Sequence, residues 1–450
     1  MALFKLSGRL ADIKFDGLPP ATVLKAKLAI LNFLGGSLSG ADSELALSEK
    51  RIWKAQGCDG ACVVIGHRGR MSPLAAAAVN AAMGQVFLQE DCHEKTLSHP
   101  GVAVIPVVLA MGQAKKASGK EILEAAVSGY EAQGRIGKFL IRPGFPKNGL
   151  RPASFLAPFG AAAGAARVLG LDADGMQRAL SIAANTVAGV MEFVNAGTPD
   201  ICIQNCFAAK NGMVAAYMAA NGLTGAPTIF EGRFGLGYAL LNEACAPDAL
   251  VSDEGYEIDD TFIKIHPGCG HVLPTAQAAE TLAQRQRIDP SDVEKVTVGV
   301  SKGGGSFPGV DNQGPYSGTI SAMMSHQFMV SAALVRGEVS IPVVKNFADP
   351  AINAFARKVF VVFDEEVERE TQNHRVGARV TVTLKDGMRI SEYQKDTPAQ
   401  TREGVAARVK AYGRAYFSDA RTEKILETAD RLPELNDVNA LMDLFESDVT

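Results

Sequence analysis

Arg379-Val-Thr-Val-Thr-Leu384, Lys385-Asp386-Gly387 and Met388-Arg-Ile-Ser-Glu-Tyr393 follow one another without a gap. Apolar and polar side chains alternate, stop at a turn, and alternate again. A period of two belongs to a strand with one buried face, and Asp-Gly supplies the turn that reverses it. A lone hairpin is marginal in water, so further strands are expected beside it. Val296, Val298 and Val300 alternate with other residues, and Val359 to Phe363 is a short β-rich run. Helix patterns lie between, from Pro274 to Arg285 and from Ala322 to Val335. Residues 260–395 therefore read as an α+β unit.

Outside it the period changes. Val23 to Leu34 is apolar at most positions and meets Gly35-Gly36, a helix stop. Val102 to Ala117 is apolar nearly all round, with Pro106 in an early turn, which predicts a buried helix. Ser118-Gly-Lys-Glu121 has capping-box spacing, and the helix it opens puts Ile122, Leu123, Ala126, Val127 and Tyr130 on one stripe. Phe155 to Leu171 is rich in alanine and glycine, so its backbone can approach its neighbours closely. Cys206 to Ala220 repeats that theme, and the chain is helical again from Pro398. The expected architecture is mainly α with an inserted α+β domain. A helical domain takes residues 1–259 and 396–450, and a smaller α+β lid takes 260–395.

Composition bounds the function. Of 450 residues, 47% are apolar and 21% charged, as in ordinary globular chains. A net charge of -4 without a lysine/arginine run argues against nucleic acid or an anionic membrane as partner. No secretory signal is visible, and no apolar stretch is expected to reach the roughly 18 residues of a spanning helix. Seven scattered cysteines, an odd number, point to reduced thiols in the cytoplasm.

Several strings look chemical and do not hold up. Gly299-Val-Ser301-Lys-Gly303 matches a nucleophile elbow, but that elbow needs a helix after the serine, and Gly304 to Gly309 reads as a loop. Ser118-Gly-Lys120 is followed by Glu121, so no phosphate-binding loop forms. His93-Glu94 and His99 are six residues apart, too far for a zinc-binding helix face. Cys58/Cys62 and Cys202/Cys206 lack companion ligands and read as core thiols. Neither a nucleotide cofactor nor a metal is assigned.

Two clusters remain. The first runs Glu90-Asp91-Cys92-His93-Glu94-Lys95-Thr96-Leu97-Ser98-His99-Pro100-Gly101, between an alanine-rich helix and a buried one. The second is Lys264-Ile-His266-Pro-Gly-Cys269-Gly-His271, at the junction of the two parts. Any single histidine here reads first as a structural, hydrogen-bonded residue. Two clusters with lysine, thiol and imidazole, the second of them at the junction, point to a ligand site.

At these clusters the chain resembles the MmgE/PrpD family, which includes 2-methylcitrate dehydratases, cis-aconitate decarboxylases and iminodisuccinate epimerase. Glu90-Asp-Cys-His-Glu94 with Ser98-His-Pro-Gly101 is similar to the family's Asp-Phe-Asp-Asp-Thr-His-Glu and Thr-His-Pro-Gly strings. Phe159 to Asp172, Glu231-Gly-Arg-Phe-Gly235 and Lys264-Ile-His-Pro-Gly-Cys269 also match in order and spacing. The resemblance implies a helical domain with an α+β lid, an active site between them, a small di- or tricarboxylic acid as substrate, and a homodimer. It places Asp91, Cys92, His99, Lys264 and Cys269 at active-site positions. Leu88, Arg151 and Ile201 depart from the family's aspartate, histidine and lysine.

His99, Asp91, Lys264, Cys269 and His271 are thus the catalytic candidates. Cys92, His93, Arg151, Gln204 and His266 are the substrate-binding ones. The chemistry the family implies is a carbanion next to a carboxylate, which needs a proton carrier and positive charge at the developing enediolate. His99 is expected to carry the proton near neutral pH, Asp91 to orient an imidazole, and Arg151 to grip a carboxylate. A lyase, either dehydratase or decarboxylase, is the first expectation. An epimerase, with its second proton donor drawn from His266, His271 or Cys269, is the alternative. A non-catalytic carboxylate binder is the reading from another class.

Overall fold

Small residues decide how the helices meet. The computed structural model describes residues 2–141, 149–242, 250–251, 255–286, 288–371 and 376–448; His374 lies outside them. Helix Pro20–Gly40 runs straight through Gly35-Gly36, where the sequence predicts a stop. A Cβ on Gly35 would stand 2.9 Å from Val409, and one on Gly40 would stand 2.4 Å from the Met83 carbonyl. Glycine here permits close packing of helices, which outweighs its cost of about 1 kcal/mol in a helix interior. The same helix corrects a second expectation, since its length and apolar composition would suffice to cross a membrane. Most of it is buried in this fold, as a core helix would be.

Helix Gly101–Lys115 is buried from Gly101 to Gln113, Pro106 included. Helix Gly119–Leu140 opens with the Ser118/Glu121 capping box and buries all five residues of its predicted stripe. Helices Pro152–Leu169 and Asp200–Ala220 lie against each other through small side chains. Helix Arg402–Gly413 packs on Pro20–Gly40. These helices share one hydrophobic core, which also takes in Val405, Val409, Ile425 and Phe445 near the C-terminus.

A second core surrounds a four-stranded sheet of order Val359–Phe363, Val293–Val300, Ala378–Leu384, Arg389–Gln394. The first pair is parallel and the others antiparallel. Val296, Val298 and Val300 are buried, and the Lys385-Asp-Gly387 turn closes the last hairpin. Two local readings change. The helix expected over Ala322–Val335 is two helices, Thr319–Met324 and His326–Arg336. Extended Ser325 divides them, and its side chain caps the second. A short helix, Lys302–Ser306, does follow Ser301, but the Ser301 hydroxyl accepts from Gly304 N–H as its cap. That oxygen is committed to the backbone and is not presented as a nucleophile.

A two-stranded ladder sets up the site. Asp91–His93 pairs antiparallel with Thr261–Ile263, Cys92 opposite Phe262. The two histidine-bearing clusters are therefore laid side by side. Buried Arg408 fixes this arrangement from the C-terminal helix, donating to the carbonyls of Gln89 (3.0 Å) and Lys264 (2.7 Å).

Candidate active site

One residue beyond the ladder, Lys264 N–H reaches the Glu90 carbonyl at 3.3 Å. The side chains follow their backbones, and Lys264 Nζ pairs with Glu90 Oε1, both groups buried. Gln85 Nε2 donates to the same oxygen at 2.9 Å. Glu90 Oε2 is buried and has no hydrogen-bond partner. Burial alone would raise the Glu90 carboxyl, but the charge of Lys264, helped by His99 and the bonds to Lys264 and Gln85, holds it below its ordinary value.

His99 stands above this pair. Its Nδ1–H donates to the Asp91 carbonyl at 2.9 Å, with Glu90 Oε1 at 3.4 Å. A carbonyl only accepts, so in the neutral ring the lone pair is on Nε2. Burial, with the charges of Lys264 and Arg151, pushes the imidazole down to about 3. His99 is thus a neutral base at neutral pH, not the half-titrated group expected from its unperturbed value.

Arg151 enters at the start of helix Pro152–Leu169. Its Nη1 donates to Ser154 Oγ at 2.7 Å and to Gln204 Oε1 at 3.5 Å, and its Nη2 to Gln85 Oε1 at 3.3 Å. Phe193 lies beneath the guanidinium at 6.0 Å. Burial lowers Arg151 to about 10, which leaves it cationic. No carboxylate pairs with it among the described residues.

Glu90, His99, Arg151, Lys264 and Cys269 line one cleft of about 510 Å³, mouth included. A second compartment of about 570 Å³ shares Leu97, His99, Cys269, Gly270 and Phe307 with it and reaches Cys92 and His271. Burial pushes the Cys269 thiol up and lowers His271 to about 4, so both are neutral. His271 lies against Phe307, ring centroids 4.3 Å apart.

The other candidates go elsewhere. Asp91 faces away from the cleft, its carboxylate accepting Gly101 N–H at 3.1 and 3.3 Å and capping helix Gly101–Lys115. Its backbone, not its carboxylate, orients His99. His93 is enclosed between Glu257 and Thr96, each at 3.0 Å. His266 is held by Gln277 at 3.2 Å. Gln204 touches the site only through Arg151 and Ser154. His93, Glu257 and Asp260 bring possible metal ligand atoms within 4.8 Å of one another, but Lys138 and Lys95 already neutralise those carboxylates. Glu90, the carboxylate that does face the cleft, is absent from the sequence-based set.

Two family models match this chain, the MmgE/PrpD N-terminal domain over residues 5–246 and the MmgE/PrpD C-terminal domain over residues 266–432. The chain belongs to the MmgE/PrpD family. Its relatives include the cis-aconitate decarboxylase of Aspergillus terreus (strain NIH 2624 / FGSC A1156), 26% identical over 98% of this chain and 94% of that protein. Those of Mus musculus and Homo sapiens are 24% and 25% identical, over 98% and 96% of this chain and 92% of each relative. In this MmgE/PrpD chain Leu88, Arg151 and Ile201, far apart in sequence, all line the cleft.

Proposed function

We propose that this protein is an MmgE/PrpD-type lyase acting on a small carboxylic acid through a carbanion alpha to a carboxylate. The observation that carries the reading is one cleft holding a neutral imidazole with a free lone pair, a buried Lys264–Glu90 pair, and a cationic Arg151 bonded to no carboxylate among the described residues. Arg151 takes a substrate carboxylate. As negative charge develops on the carbon beside it and spreads into an enediolate, Arg151 and Lys264 stabilise it without moving.

Decarboxylation is the first form of the reaction, because the relatives matched are cis-aconitate decarboxylases. The bond to the departing carboxylate breaks, its electron pair stays on carbon, and Lys264 or the Cys269 thiol returns a proton there. Dehydration is the second form, favoured by the unprotonated His99. Here Nε2 takes the α-proton, the electron pair becomes a double bond, and the β-hydroxyl leaves with a proton from Cys269 or Lys264. Anionic substrate beside Lys264 and Arg151 raises the basicity of His99, so the base strengthens on binding. The epimerase alternative has no support among the relatives matched.

Within the same proposal, residues 260–395 act as a lid, since they bring Lys264, Cys269, Phe307 and Met324 to the cleft. Cleft closure strengthens each charge by excluding water. Six described cysteines are free thiols, which suits a reducing cytoplasm. A homodimer, checked by sedimentation, completes the reading. The test is a panel of di- and tricarboxylic acids incubated in heavy water and followed by NMR. Loss of carbon dioxide or water, with deuterium at the reacting carbon after decarboxylation, is expected. Tight binding without turnover or exchange would make the protein a carboxylate binder and overturn the lyase reading.

A further inference from the structure

The cleft lining is mixed. Glu90, His99, Lys264, Arg151 and Cys269 supply its polar groups, while Leu88, Met191, Phe193, Ile201 and Met324 give it apolar surface that belongs to the second core. Leu88 and Ile201 are buried, so that surface is built into the fold.

Charge sets how many carboxylates fit. Lys264 is already paired with Glu90. Arg151 has only neutral hydrogen-bond partners, Ser154, Gln204 and Gln85, among the described residues. One ligand carboxylate therefore finds a cation with no carboxylate bonded to it, Arg151, although the charge of Glu90 also reaches that guanidinium. A second has to share Lys264 with Glu90. A third would lie against the side chains of Leu88, Ile201 and Met191, which carry no donor, and an ion stripped of water without a partner loses orders of magnitude in affinity.

We infer that the substrate is at most a dicarboxylate and carries an apolar arm, alkyl or alkenyl, that lies along Leu88, Met191, Phe193 and Ile201. This rests on the proposed lyase site and narrows it. A tricarboxylic acid is disfavoured by the same apolar surface that receives the arm. Weak sharing of Lys264 suits a second carboxylate that departs, because the firm hold on Arg151 stays with the part that remains.

The test is calorimetric titration of the intact protein with succinate, a series of 2-alkylsuccinates, and propane-1,2,3-tricarboxylate. Affinity is expected to rise with arm length, by up to about fourfold per methylene until that surface is covered. Propane-1,2,3-tricarboxylate should bind at least tenfold more weakly than the best alkylsuccinate. Ile201→Ala, which keeps an apolar residue, should flatten the dependence of affinity on arm length. Ile201→Gln should narrow the gap to the tricarboxylate. Equal or tighter binding of the tricarboxylate overturns the inference, as does binding of none of these acids. Because the readout is binding, preference for the alkyl arm without turnover strikes only the lyase reading.

Discussion

Two histidines six residues apart in the chain each meet a buried glutamate, and the two pairs behave differently. His93 is 3.0 Å from Glu257, and His99 is 3.4 Å from Glu90. Around His93 both ring nitrogens are taken, Lys138 holds Glu257, and Glu131 accepts from the Glu257 backbone N–H. Around His99 one nitrogen is fixed by a carbonyl, the other is free, and a cleft adjoins. An acidic neighbour does not identify a proton carrier. An unfilled valence facing space for a substrate does. The first pair holds together the helical core; the second is available for chemistry.

The sharpest way to break this comparison is at Lys264. Lys264→Met leaves Glu90 buried without its counter-charge, which costs about 3–5 kcal/mol. Turnover should fall by roughly 10²–10⁴-fold, the scale of a lost proton donor or electrostatic stabiliser. Pairing it with Glu90→Gln should restore denaturant stability and not turnover. Recovery of both would make the pair structural.

The histidines come next. His99→Asn should lower kcat by roughly 10²-fold or more with less effect on KM. His93→Asn should cost about 1–3 kcal/mol of stability through the buried hydrogen bond lost to Glu257, which keeps Lys138, while kcat stays close to wild type. Reversed kinetics would exchange the roles of the two pairs.

Asp91 sharpens the distinction, since it neighbours Glu90 but sits on the enclosed side. Burial, with the charge of Glu90 adding to it, raises its carboxyl to about 6 from the ordinary 3.8, although the Tyr130 phenol and Gly101 N–H pull it back. A raised folded-state value contributes stability below the unfolded value that is lost as pH rises through about 6. Wild type should therefore lose on the order of 2 kcal/mol relative to Asp91→Asn between pH 4 and pH 6. Parallel stability curves for the two proteins would contradict this assignment.

Arg151 gives the smallest effect. Arg151→Gln removes a charged anchor worth about 1.5–3 kcal/mol, so KM should rise roughly 10- to 100-fold with a lesser drop in kcat. Arg151→His should not improve turnover, because Leu88 and Ile201 beside it offer no polar partner. A gain in kcat would mean that this position carries a proton after all.

Much of this was legible in the sequence. The hairpin at 378–394, the capping box at Ser118 and the buried helix after Gly101 each carry a local signal. So do both clusters, and the cleft joins His99, Arg151, Lys264 and Cys269. The choice between Glu90 and Asp91 was not legible, because neighbours on a strand point to opposite faces and only the pairing with Thr261–Ile263 decides which meets Lys264. Gly35-Gly36 failed as a stop because glycine serves both helix ends and close helix contacts, and the chain alone does not show Val409 arriving. The depressed basicity of His99 comes first from burial in the fold and then from Lys264 and Arg151, both remote in sequence.

The central claim is that acid–base chemistry occurs at the open pair and not at the enclosed one. Deuterium uptake from heavy water into a turned-over carboxylic acid, compared by NMR across wild type, His99→Asn, Lys264→Met and His93→Asn, tests it most directly. The account predicts uptake in wild type and His93→Asn, and a loss of roughly 10²-fold or more in the other two. Undiminished uptake in Lys264→Met and His99→Asn would contradict it.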